Sequence, residues 1–156
     1  MAQNCTILCP ADEPERVIVL VRELVGGRGR VSITGRPVDW ASITIKSSAG
    51  SLVLNRRVFR ERADEFSKML NGMWVYFDAV KTEHKALKAD VLKRIEQHTL
   101  AVGVVADPEF VEEAGHYDCI FGLAATLGAI IWNGSDVLNA EGQTILDGEG
   151  NSDLPS

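Results

Sequence analysis

Residues 116–119 read His-Tyr-Asp-Cys, and Glu112 stands one helical turn before His116. An imidazole beside a thiol, oriented by a carboxylate, is the arrangement that makes a nucleophilic thiolate. On a helix Glu112, His116 and Cys119 share a face, each three or four residues from the next. Asp118 falls roughly 200° from His116 around the same helix and cannot orient that imidazole. The stretch has a second reading. His116, Ile120, Leu123 and Leu127 lie at core spacing, which makes Cys119 a small buried hydrophobe beside them.

Other chemistry is thinner. His84, His98, His116 and the cysteines Cys5, Cys9 and Cys119 show no paired ligand spacing, so no metal site is expected. The one glycine-rich run, Gly26–Arg30, follows a helical stretch instead of joining a strand to a helix start. Both helix starts that follow strands carry acids where a phosphate would sit, so no nucleotide cofactor is expected either. Arg56, Arg57, Arg60 and Arg62 form the candidate binding cluster, arginine being suited to bidentate pairing with carboxylates or phosphates. The alternative is that these arginines meet the protein's own acids.

Those acids are unevenly spread. Residues 28–62 hold eight Lys/Arg against Asp39 and Glu61, whereas residues 107–156 hold ten acids and no Lys or Arg. With a net charge of −6 the chain repels nucleic acid as a whole. The charge split favours an acidic or basic protein surface, or another copy of the chain, as partner. The function expected from these features is non-catalytic protein–protein contact or self-association. A small Cys/His enzyme and an anion-binding protein are the alternatives.

The elements that position these residues follow from periodicity. A short strand ends at Cys9, and Pro14 opens a helix that stops at Gly26-Gly27. Alternation marks strands in 30–34, 41–47 and 51–55, and helical spacing of Phe66, Met69, Met73 and Phe77 then marks a helix, with a second one following. That Met and aromatic stripe suits either core or an adaptable docking surface. The apolar run at 99–106 reads as a strand covered on both faces, Asp107-Pro108 as a helix start, and Ala129–Trp132 as another buried strand. A hairpin closes the chain. The order β-α-β-β-β-α-α-β-α-β-β-β predicts one α/β (or α+β) domain over residues 1–148, with a mixed sheet packed by helices and a loose polar tail at 149–156. The unit over 99–132 predicts parallel neighbouring strands. In such a sheet Cys9, Asp107, Trp132 and Asn133 would share a crevice at the strands' carboxyl ends. The odd cysteine count, the lack of a secretory start and the absence of a long apolar run point to a cytoplasmic protein away from the membrane.

Overall fold

The computed structural model describes residues 3–48, 50–58, 63–107 and 116–155. Its strands and helices follow the predicted order: β1 (Gln3–Cys9), α1 (Pro14–Val25), β2 (Arg30–Thr34), β3 (Ser42–Ser47), β4 (Gly50–Val58), α2 (Ala63–Asp78), α3 (Lys85–Gln97), β5 (Leu100–Asp107), α4 (His116–Leu127), β6 (Ile130–Trp132), β7 (Val137–Leu138) and β8 (Thr144–Leu146). Pro14 starts α1 because its missing N–H costs nothing in the first turn, and Gly26 at φ 56° ends it.

The strands make one sheet in the order β2-β3-β4-β5-β1-β6-β7-β8. Its inner strands alternate between two cores. Ile7 and Cys9 of β1 join Leu52 and Leu54 of β4 and Val102 and Val104 of β5 under α1 and α4. Leu8, Ala101 and Ile130 point the other way, into Met73 and Phe77 of α2 and Val91 and Ile95 of α3. The result is helices, sheet, helices. The hydrophobic stripe of α1 (Val17, Val21, Val25) is buried as its spacing requires.

The parallel neighbours expected for 99–132 do not form. β5 and β6 do run parallel to each other, but β1 lies between them and is antiparallel to both. Every described strand pairing is antiparallel. The physical reason is burial: a central antiparallel strand covered on both faces has the same unbroken apolar run as a buried parallel one.

The polar tail is also docked. Gly150 is buried, Thr82 Oγ1 donates to its carbonyl, and Asp153 N donates to Thr144 O at 2.9 Å. Here the structure exposes an eight-residue repeat: Ile131–Leu138, Asn139–Leu146 and Asp147–Leu154, each with glycine fourth and leucine eighth. The glycines, Gly134, Gly142 and Gly150, all take positive φ (104°, 80°, 85°). In the second repeat Asn139 Oδ1 accepts the amides of Glu141 and Gln143 at 3.0 and 2.9 Å. In the third, Asp147 Oδ1 accepts those of Glu149 and Asn151, both at 2.9 Å. Asn and Asp interchange because the turn needs only a side-chain oxygen.

Candidate functional site

The Cys/His expectation meets burial. α4 is described from His116, and Glu112 lies outside the described residues. His116 and Cys119 are each 2 % exposed. They line, with Val25, Ile45 and Leu52, a cavity of about 10 Å³, which is at most room for one water. Burial pushes the Cys119 thiol up to about 12; Asp118 adds to this, and Arg28 opposes it. Burial also lowers the His116 imidazole below its ordinary value. A sealed thiol that stays protonated at neutral pH is no nucleophile. The stripe reading describes Cys119: it sits in the core with Ile120 and Leu123. Cys5 and Cys9 are likewise pushed up to about 12 by burial.

The strand-end crevice is not assembled. Cys9 pairs with Leu100 at the start of β5, and Asp107 is the last residue of that strand, roughly 23 Å further along at about 3.3 Å per residue. Because β1 runs against β5 and β6, its carboxyl end lies at the opposite side of the sheet from theirs. Trp132 instead packs edge-on against Tyr76 and Phe77 of α2, with ring centroids 5.6 and 5.3 Å away. Asn133 builds a turn, its Oδ1 accepting the amides of Ser135 and Asp136 at 3.1 and 2.8 Å. Met73 and Phe77 of the Met and aromatic stripe are core, while Trp74 donates to Glu96 Oε1 at 2.9 Å across the gap to α3.

The arginine cluster divides. Arg56 and Arg57 are neighbours on a strand, so they point to opposite faces. Arg56 turns inward and grips Asp12 with two bonds, Nε to Oδ1 at 3.2 Å and Nη2 to Oδ2 at 2.8 Å. The two side chains are 3 % and 8 % exposed. The Arg56 guanidinium also lies 5.9 Å from the Trp40 ring centroid, and Trp40 Nε1 donates to Pro14 O at 2.8 Å. Arg57 is exposed on the other face. Arg60 and Arg62 lie outside the described residues. Asp12, the acid that Arg56 grips, comes from the start of the chain. Arg28 does meet that third, through Asp118 at 3.0 Å, and Arg36 pairs with Asp39 at 2.7 Å.

What sequence reasoning missed is the sheet edge. β2 is the first strand of the sheet, and among the described residues nothing pairs with its outer side. Arg30 of β2 stands directly opposite Lys46 of β3. Both are exposed, and neither has a carboxylate partner among the described residues. The mirrored patterns Arg-Val-Ser-Ile-Thr and Ser-Ile-Thr-Ile-Lys on either side of the 35–41 loop carried the signal. At the other end of the sheet, roughly 34 Å away across seven strand spacings of about 4.8 Å, the β7–β8 turns carry Asp136, Glu141, Asp147, Glu149 and Asp153. Among the described residues no group of His, Cys, Asp and Glu is placed to hold a metal ion, and no described helix is long and apolar enough to cross a membrane. Comparison with protein-family models, with curated proteins and with solved structures finds no match.

Proposed function

We propose that this chain is a non-catalytic cytoplasmic protein that works by contact with other proteins, and that the β2 side of its sheet is the surface that charge orients. The observation that carries the reading is the strand order. It sets the basic strands β2 to β4 at one end of the sheet and the acidic turns around β8 at the other. Complementary poles steer encounter and set orientation more than they add affinity. The sealed state of Cys119 supports a non-catalytic role. The divergence of Arg56 from Arg57 argues against a continuous polyanion track on β4. Three cysteines without disulfide bonds fit a reducing compartment.

Every copy carries both poles, so head-to-tail self-association is the first form such contact takes. Sedimentation velocity tests it. The mass should climb above 17.0 kDa with concentration at about 0.01 M salt and return to monomer near 1 M, where the screening length falls from about 30 to about 3 Å. A chain that stays monomeric at every salt and concentration overturns self-association.

A further inference from the structure

Among the described residues nothing pairs with the outer side of β2, which presents a row of backbone N–H and C=O groups at this end of the sheet. At the far edge the chain covers itself: Asp153 N donates to Thr144 O, and Asp153 Oδ2 accepts from Thr144 N, both at 2.9 Å. β2 spans five residues that alternate between exposed (Arg30, Ser32, Thr34) and half-buried (Val31, Ile33). Val31 and Ile33 pack onto the core under α1. A strand laid against β2 would therefore extend an apolar row on one face and a polar, cationic row on the other.

The cations define what that strand carries. Like charges directly opposite on paired strands are destabilising, yet Arg30 faces Lys46 across β2 and β3 with no acid beside them among the described residues. Elsewhere in the same basic segment the protein supplies its own carboxylate: Asp118 to Arg28, Asp39 to Arg36, Asp12 to Arg56. Asp107 shares the row of Arg30 and Lys46, since Lys46 pairs with Ser51 and Ser51 with Asp107. It is two strands beyond Lys46, roughly 10 Å away. The β2 strand of a second copy does not fit this edge. No acid lies within Arg30–Thr34, so pairing β2 with β2 would bring two more cations to the seam.

We propose that the outer side of β2 is a strand-addition site for an extended acidic segment of a different protein, with alternate carboxylates facing Arg30 and Lys46. This rests on the protein-contact reading above and names its partner. The same cations that keep two β2 strands apart admit a carboxylate, which relieves the like-charge pair.

The test uses the whole chain, labelled with ¹⁵N, and two short capped peptides: one alternating valine with glutamate, the other alternating proline with glutamate. The second has the same charge, but half of its residues lack the backbone N–H and are held at φ of about −65°, which makes it a poor strand. The valine peptide should bind saturably below about 1 mM, shift the amides of residues 30–34 and slow their exchange. The proline peptide should not. Arg30→Glu combined with Lys46→Glu should weaken binding by about tenfold or more. Equal binding of both peptides overturns strand addition while leaving charge-directed contact standing. No shift at β2 with the valine peptide, or unchanged binding by the double variant, overturns the site itself. Should that variant fail to fold, the peptide comparison on the native chain still decides. A native chain that binds the valine peptide at β2 yet sediments as a monomer loses self-association and keeps this site.

Discussion

At the scale of single residues, burial decides the chemistry. His98 is 6 % exposed at the junction of α3 and β5, and its ring contacts the Arg94 carbonyl. Burial brings its pKa from 6.5 down to about 4; a hydrogen bond with the Leu8 backbone pulls the other way, and Arg94 adds to the lowering. The unfolded chain therefore binds the proton more tightly than the folded one. Stability from this group is complete above about pH 6.5 and falls as the pH drops towards 4, by up to about 3 kcal/mol. Urea unfolding at several pH values, compared between the native chain and His98→Gln, measures this. Parallel profiles would remove His98 from the account. Histidine was visible in the sequence as a possible ligand, but its role as a buried neutral plug was not, because burial depends on α3 closing over β1.

At the scale of elements, the terminal repeats give a graded test of one backbone demand. Gly142 and Gly150 hold equivalent places in successive turns, at φ 80° and 85°. Alanine at either is strained in the left-handed region. At Gly142 the added methyl meets only the Phe121 ring at ordinary contact distance, whereas at Gly150 it collides with the Lys81 carbonyl. Gly142→Ala should cost about 1–2 kcal/mol and Gly150→Ala roughly 3 or more, read from urea midpoints. Equal costs would show that Gly150 is not pinned by Lys81. The sequence carried the turn residues for these elements openly. The repeat is faint in the sequence because each unit is only eight residues long and shares little beyond its glycine and leucine.

At the scale of the molecule, the charge split and the Arg56 latch are joined. The buried pair ties together Asp12 after β1, Arg56 of β4 and, through the Arg56 Nη1 bond to its carbonyl at 3.4 Å, Trp40 before β3. It removes one arginine from the basic end of the sheet and turns it into structure. Asp12→Ala leaves a buried guanidinium without its acid and should cost about 3–5 kcal/mol. Adding Arg56→Leu should recover part of that loss, since two apolar groups can replace a buried pair. Chemical unfolding of the single and double variants decides. If Asp12→Ala costs less than the usual surface substitution, within about 0.5 kcal/mol, the pair does not hold these segments.

Local order was legible from residue spacing alone. Helix and strand periods, Pro14 and Gly26 as punctuation and the uneven charge determined which elements form and in what succession, because each depends on neighbours along the chain. Strand pairing belongs to the tertiary structure. Only there does β1 enter between β5 and β6, separating Cys9 from Asp107 and breaking the supposed crevice. Only there does Arg30 come opposite Lys46 beside the first strand edge of the sheet, while Arg56, one residue from Arg57, is buried against Asp12. The physical reason is that a side chain's partner across a sheet is set by register and strand order. Both are chosen by which faces the helices cover, a condition imposed by residues far away in the chain.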